Sequence, residues 1–330
     1  MIPDKKSNAK GKLVIFYPQG IGNFFLTIDS VVSLVLAFDE TIIYVHQSHT
    51  AEIFKKLFND DNKVTITIRK IQLFQSLLAN NNDVFVIWEN LTWKSVVLGA
   101  ICNGKCVGFN LRESKRKNFY GRLAKTLGIT VVPVSKNVSE SVWARSLLTQ
   151  LGVVHNSLGV QMLHKLVQRQ SFPIGVNDSR VVCLHLGCNK NSSNKRWPVS
   201  NFVAVSSLVS QFKFKIYVIG GADDIAVTAA YISEGGVLHE NFVDKCSLLD
   251  TAALLSKSSM LISNDSGLMH LASVLQIPQV AIFSSDSFCS KNIPLRTHSL
   301  SKFLGPLNAV DRFPPDDLVS DEILKVLECV

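Results

Sequence analysis

Strand-length apolar runs alternate with helix-periodic segments along the whole chain, and this alternation constrains the fold more than any other feature. In the first half the runs fall at 13–17, 42–46, 64–68, 84–88 and 106–109, with helical patterns near 23–37, 51–58, 71–79, 93–101 and 139–151. In the second half the runs fall at 181–186, 215–219, 260–263 and 279–283, with helical patterns near 199–211, 223–233, 248–257, 267–275 and 316–328. Strands joined through helices make parallel sheets covered on both faces. A polar stretch carrying Pro173 and Gly175 reads as a linker between the halves. The expected class is α/β, with Rossmann-like domains at 1–168 and 180–330, a linker at 169–179, and the two parallel sheets facing a central cleft.

A composition of 47% hydrophobic and 18% charged residues supplies sizeable cores. No apolar run reaches the ~18 residues that span a bilayer, and Ser33 interrupts the best candidate, 31–38. Residues 1–12 are polar and basic without an apolar stretch behind them, so no signal peptide is expected. The seven cysteines show no C-x-x-C spacing, which favours reduced thiols and a cytoplasmic setting. The net charge is +8, much of it between Lys105 and Lys125, where Glu113 is the only acid. That run reads either as a solvated loop face or as a landing strip for an anionic partner, such as a phosphorylated glycolipid or a membrane surface. Nucleic acid fits least, because no recognised module accompanies the charge.

The stretch Ser263-Asn-Asp-Ser-Gly-Leu-Met-His270 follows an apolar run and opens an apolar helix. The first N–H groups of such a helix lack internal partners and sit at the positive end of its dipole, which makes an anion site. Gly267 lets a phosphate approach the backbone, and Asp265 is suited to accept hydrogen bonds from a sugar or from the loop. A nucleotide diphosphate in the second half is the expected ligand. After the run at 181–186 comes a small-residue loop from Gly187 to Lys195-Arg196-Trp197-Pro198. It lies at a strand's carboxyl end, where open α/β sheets bind ligands. Lys195 and Arg196 are suited to neutralise phosphate, and Trp197 to anchor the helix that Pro198 opens.

Other motifs are weaker. Gly20-Ile-Gly22 resembles a dinucleotide fingerprint, but Phe25 takes the third glycine's place and His46 stands where an acid would end the next strand. It reads as a close-packed strand–helix turn lining the cleft. Gly99 to Cys106 nearly matches a phosphate-binding loop, yet it follows a helix and ends in Cys, so Asn103-Gly104 reads as a helix end and turn. Asp223-Asp224 and Asp316-Asp317 read as acids at helix starts. The chain contains no D-x-D carboxylate clamp and no paired-histidine spacing. No metal site is expected.

Several segments in order resemble family 9 glycosyltransferases, the heptosyltransferase-like enzymes. They are Pro18-Gln-Gly-Ile-Gly-Asn-Phe-Phe-Leu-Thr27, Asp83-Val-Phe-Val-Ile87 with Lys94-Ser95, Val107-Gly-Phe-Asn110, and His185-Leu-Gly187 through Lys195-Arg-Trp-Pro198. Val218-Ile-Gly-Gly221, Leu248-Leu-Asp-Thr-Ala-Ala-Leu-Leu255, Ser263 to Ala272, and Pro278-Gln-Val-Ala-Ile-Phe283 continue the match. The resemblance implies a GT-B fold and a metal-independent, inverting transfer from a nucleotide sugar, with ADP-heptose as donor. The acceptor would be a lipopolysaccharide core or related anionic glycan. It implies that Gly187, Arg196, Gly220, Gly221, Ser266, Gly267, Leu268 and His270 face the donor, and that Gly20, Gly22, Arg112, Lys115, Arg116 and Lys117 face the acceptor. Lys195 and Asp265 would join the catalytic set. The protein would be cytoplasmic, with peripheral contact at the inner face of the inner membrane.

One departure matters. Well-defined heptosyltransferases carry Asp as proposed base where this chain has Asn23, and an amide cannot take a proton at neutral pH. Glu89 ranks first as a substitute and His46 second, while Asp29, about 600° of helix beyond Asn23, points elsewhere. Another nucleotide-sugar donor, a sugar-nucleotide epimerase, and a non-catalytic glycan- or nucleotide-binding protein are the alternatives.

Overall fold

A computed structural model describes residues 11–59, 61–78, 83–111, 115–135, 137–170, 180–188, 190–289, 291–294, 296–308 and 310–330. The chain forms two compact units that divide between Leu163 and His164.

The first unit runs β1 (Lys12–Tyr17), α1 (Ile21–Ala37), β2 (Glu40–Val45), α2 (Ser48–Leu57), β3 (Val64–Thr67), α3 (Lys70–Leu78), β4 (Val84–Asn90), α4 (Trp93–Ala100), β5 (Lys105–Leu111), α5 (Lys115–Thr126), β6 (Thr130–Val134) and α6 (Glu140–Leu151). The helix α7 (Leu158–Arg169) crosses the division. The second unit continues with β7 (Val181–His185), α8 (Val199–Gln211), β8 (Lys215–Val218), α9 (Ile225–Ser233), β9 (Glu240–Asn241), α10 (Leu248–Leu255), β10 (Met260–Asn264), α11 (Gly267–Val274), β11 (Gln279–Ile282), β12 (Lys302–Leu304) and α12 (Asp316–Leu327).

Each unit holds one six-stranded sheet, in the orders β3-β2-β1-β4-β5-β6 and β12-β11-β10-β7-β8-β9. Every strand pair is parallel. Strand order reverses between β1 and β4 in one sheet and between β7 and β10 in the other. These are the switch points at whose carboxyl ends doubly wound sheets take ligands. The central strands are buried on both faces, so β7 and β10 show no exposed residue and read as apolar runs that end in His185 and in Ser263-Asn264.

Polar residues inside α1 have local partners. The Thr27 hydroxyl donates to the Asn23 carbonyl and the Ser33 hydroxyl to the Asp29 carbonyl, each at i−4. The Asp29 carboxylate accepts the Val160 N–H at 2.8 Å, and Ser33 accepts the Asn156 N–H at 3.0 Å. Gly159 fits because a Cβ there would lie 2.6 Å from the Ile28 carbonyl oxygen. Two polar side chains on α1 therefore seat the start of α7.

The structure corrects two expectations. The basic run is not a loop: Lys105–Leu111 is strand β5 and Lys115–Thr126 is helix α5. Four elements absent from the sequence reading also appear, namely β6, α7, β9 and β12. Asn103-Gly104 does form the turn after α4, and the Asn103 amide donates to the Leu78 carbonyl. Of the linker expected at 169–179, residues 171–179 lie outside the described residues. No described helix is long and apolar enough to cross a membrane.

Candidate functional site

At the second unit's switch point, β10 ends in Asn264, and Asp265-Ser266 lead directly into α11. The Asn264 side chain is fully buried and clamps the opposite loop. Its oxygen accepts the Trp197 N–H at 2.9 Å, and its amide donates to the Leu186 and Gly187 carbonyls at 2.9 and 3.3 Å. This fixes the segment after β7 against the end of β10. Trp197 is buried edge-on against Phe202, so the Lys195–Pro198 turn hangs on an apolar anchor.

Lys195 closes a short 3-10 turn, and its Nζ donates to the Asp265 carboxylate at 2.7 Å. The carboxylate is buried and the ammonium only partly so. The expected phosphate-neutralising lysine and the expected sugar-binding acid are thus one ion pair beside the start of α11.

Ser266 is the N-cap residue of α11, but its hydroxyl makes no cap bond. It meets His185 Nδ1 at 3.0 Å instead, while His185 Nε2 lies 3.2 Å from Asp224 Oδ2. A carboxylate only accepts, so Nε2 carries a proton and donates to Asp224, while Nδ1 and the Ser266 hydroxyl share a hydrogen bond. Asp224 Oδ2 also takes the Gly221 N–H at 3.0 Å. Burial pushes the Asp224 carboxyl up. Hydrogen bonds and charge from His185, the Gly221 N–H and the nearby Arg196 charge outweigh this and hold it below the usual carboxylate range. The relay Asp224–His185–Ser266 therefore ties three strand ends to the α11 N-terminus, whose first N–H groups have no side-chain cap.

The expected donor glycines divide by environment. A Cβ at Gly187 would lie 1.6 Å from Asp224 Oδ1, and one at Gly220 would lie 2.5 Å from Oδ2. These two make room for the carboxylate. A Cβ at Gly221 would meet nothing within 4 Å, so nothing in the chain requires glycine there. Gly267 and Leu268 open α11. His270, one turn in, is buried with no partner for Nδ1. Burial above all lowers its pKa to about 4, opposed by Asp265 and assisted by Lys195. It is neutral at pH 7 and offers a hydrogen bond rather than a charge. Arg196 Nε is buried without a hydrogen-bond partner.

At the first unit's switch point, Gly20 caps α1 with φ −73°, an ordinary value, and without a side-chain cap. A Cβ there would come no nearer than 4.0 Å to anything, the Gln47 amide nitrogen. Gly22 and Asn23 follow in the first turn. The Asn23 amide donates to Gln19 Oε1 at 2.8 Å, and the Gln19 amide donates to the Trp88 carbonyl at 2.7 Å. This chain joins the ends of β1 and β4. Glu89 is the next residue, and the strand is irregular there. Ile87 pairs with Gly108 and Asn90 with Phe109, so Trp88 and Glu89 bulge from the ladder. Bulges of this kind re-aim side chains beside functional sites. Burial raises the Glu89 pKa, against a hydrogen bond from Ser95. His46 is exposed after β2. Asp29 is buried and accepts the Val160 N–H of α7. Lys115, Arg116 and Lys117 form the first turn of α5, and Arg112 lies outside the described residues.

Sequence reasoning missed Asn264, Gln19 and the role of Asp224. The pair Asp223-Asp224 looks like helix-dipole acids, and only the fold shows Asp224 turned back onto His185. Among the described residues, no group of three or more His, Cys, Asp or Glu converges as a metal-ligand set.

Two doubly wound units, each with polar residues gathered at its switch point, define a GT-B protein. Residues 70–291 match the profile of Glycosyltransferase family 9 (heptosyltransferase), and the chain belongs to that family. Lipopolysaccharide heptosyltransferase 2 of Salmonella typhimurium is 28% identical over 97 residues, a match spanning 28% of this chain and 28% of that protein. A family 9 glycosyl transferase of Veillonella parvula has the same fold, with a TM-score of 0.68 at 14% identity, over 97% of this chain and 98% of that one. E. coli heptosyltransferase WaaC with ADP aligns at TM-score 0.68 and 16% identity, over 96% of this chain and 99% of that one. With ADP-2-deoxy-2-fluoro heptose the same enzyme aligns at TM-score 0.66.

Proposed function

We propose that this chain is a metal-independent, inverting glycosyltransferase that moves a heptose from ADP-heptose to a lipopolysaccharide core or related anionic glycan. The second unit takes the donor and the first takes the acceptor. The observation that carries this reading is the Lys195–Asp265 pair beside the uncapped start of α11. There the helix dipole, its first N–H groups and one ammonium suit a diphosphate. Neutral His270 and the Ser266 hydroxyl supply hydrogen bonds without repelling cations or anions. WaaC was solved with ADP and an ADP-heptose analogue, which supports the donor assignment.

In the reaction, an acceptor hydroxyl oxygen attacks the anomeric carbon as the bond to the diphosphate oxygen breaks. The hydroxyl proton passes to Glu89, which burial makes a stronger base than an ordinary carboxylate. Lys195 and the α11 N–H groups stabilise the departing ADP. The setting is the cytoplasmic face of the inner membrane, with no nucleic-acid partner.

The test is calorimetry with ADP, UDP, GDP and CDP, with and without magnesium, followed by turnover of ADP-heptose. Selective, metal-independent binding of ADP is expected. Lys195→Ala should lower kcat by about 10²–10³, the usual scale for losing one transition-state donor. A change under about threefold would overturn the assignment. Preference for another nucleotide would keep the fold and discard the heptose. A second reading rests on Asn23, whose amide is committed to Gln19 and has no basic atom. Tight ADP binding without turnover on any acceptor would make the chain a non-catalytic binder.

A further inference from the structure

Helices α3, α4 and α5 share one face of the first sheet. Leu73 and Leu77 of α3, Val96 of α4 and Ala124 of α5 pack into one core cluster with Val14, Phe85 and Ile87 of the strands. Each helix also carries a second apolar stripe, at helical spacing, turned to solvent. On α3 it is Ile71, Phe74 and Leu78, with Ile71 63% and Leu78 60% exposed. On α4 it is Trp93 and Val97, and on α5 Phe119 and Leu123, with Trp93 57% and Phe119 59% exposed. One apolar stripe per helix suffices for a core. Three outward stripes on one face of the sheet, each bearing an aromatic ring, need another explanation.

The charge on these helices is equally one-sided. They contain Lys70, Lys94, Lys115, Arg116, Lys117, Arg122 and Lys125, and not one Asp or Glu. The elements α2 and α12, by contrast, mix both signs. Lys94 Nζ lies 5.7 Å from the Trp93 ring centroid, so cation and aromatic present together.

We infer that the α3–α4–α5 face docks on an anionic phospholipid bilayer. Aromatic and aliphatic side chains enter the headgroup–acyl boundary while lysines and arginines meet lipid phosphates, the pattern of interfacial amphipathic surfaces. A second copy of the chain is disfavoured, since two such faces would set like charges against each other. A nucleic acid would pair with the cations but leave the apolar stripes in water. The inference deepens the reading of the acceptor as a membrane-borne glycan, yet its test needs no turnover.

The experiment is co-sedimentation of the full chain with vesicles of phosphatidylethanolamine plus phosphatidylglycerol, and with phosphatidylcholine vesicles, at low and high salt. Binding to the anionic vesicles only, weakened by salt, is expected. Trp93→Ser with Phe119→Ser should lower the partition coefficient about tenfold or more, given the apolar area each ring contributes. Lys94→Glu with Lys125→Glu should do the same at low salt. Val154→Ser, exposed elsewhere, should leave binding unchanged, and ADP binding by calorimetry should be unchanged in all variants. The inference is overturned by absent vesicle binding, by binding that both double variants retain, or by a dimer in sedimentation velocity that these variants dissolve. Loss of ADP binding with vesicle binding intact would instead sink the donor assignment alone.

Discussion

Gly187→Ala should destabilise the second unit far more than Gly221→Ala, although both glycines lie beside the same aspartate. The added Cβ at Gly187 would stand 1.6 Å from Asp224 Oδ1. Real Cβ atoms do not approach so closely, so the carboxylate must move. Moving it breaks the bonds from the Gly221 N–H at 3.0 Å and His185 Nε2 at 3.2 Å. Hydrogen bonds to a charged group are worth about 1.5–3 kcal/mol each, so the loss is about 4 kcal/mol. That is a large part of a typical domain's stability of about 5–15 kcal/mol. At about 2–4 °C per kcal/mol for a unit of this size, Tm should fall by roughly 10 °C. Gly221→Ala places its methyl in open space at φ −101°, which alanine tolerates. Its stability should stay within about 0.5 kcal/mol of wild type, while its ADP affinity falls about tenfold if the donor lies against that backbone. Urea unfolding, with Asp224→Ala as the second arm of a double-mutant cycle, tests the cause. With the carboxylate gone, Gly187→Ala should cost under about 1 kcal/mol. An equal cost in both backgrounds, or equal costs at Gly187 and Gly221, would refute the reasoning.

Two further outcomes follow from the titrating groups. The folded pKa of His270 lies near 4, below its ordinary 6.5, so between these values the unfolded chain takes up a proton that the folded chain refuses. Stability therefore falls as pH falls through this window, by about 3 kcal/mol in all. Urea unfolding at pH 7 and pH 5 should show a shallower loss in His270→Gln than in wild type, and equal losses would contradict the burial argument. If Glu89 is the base, turnover should fall on the acid side at a pH above the ordinary carboxylate range. Glu89→Gln should then abolish that limb and most of kcat, as a pH–rate profile of both proteins would reveal.

The central strands were legible because burial on both faces leaves apolar runs, Met260–Ile262 in β10 and Val181–Leu184 in β7, that end in polar residues. The start of α11 was legible for the same reason, since small polar residues right after such a run mark a strand–helix turn. Local pattern failed where partners are remote. Asp224 meets His185 across 39 residues and Asp29 meets Val160 across 131. The start of α7 depends on side chains of α1 that no local window contains. Helix α5 hid behind its charge, because Lys115-Arg116-Lys117 suggests a loop, and from 118 onward the buried positions of the helix are the small residues Gly121 and Ala124. Trp88 and Glu89 look like ordinary strand residues, and only the slip against β5 sets them apart.

The carboxylate of Asp29 also bears on how α1 would fare in a bilayer. Helix α1 is 17 residues of largely apolar sequence, broken by Asn23, Thr27, Asp29, Ser30 and Ser33, and is not long and apolar enough to cross a membrane. A single aspartate near the middle of such a segment disfavours entry into the bilayer by about 2.5–3.5 kcal/mol. Its folded partner, the Val160 N–H, lies 131 residues further on. On that scale the residue that pins α7 in the finished fold also makes α1 a poor membrane span. Replacing it with leucine would remove both at once, the seat of α7 and the charge that disfavours the bilayer.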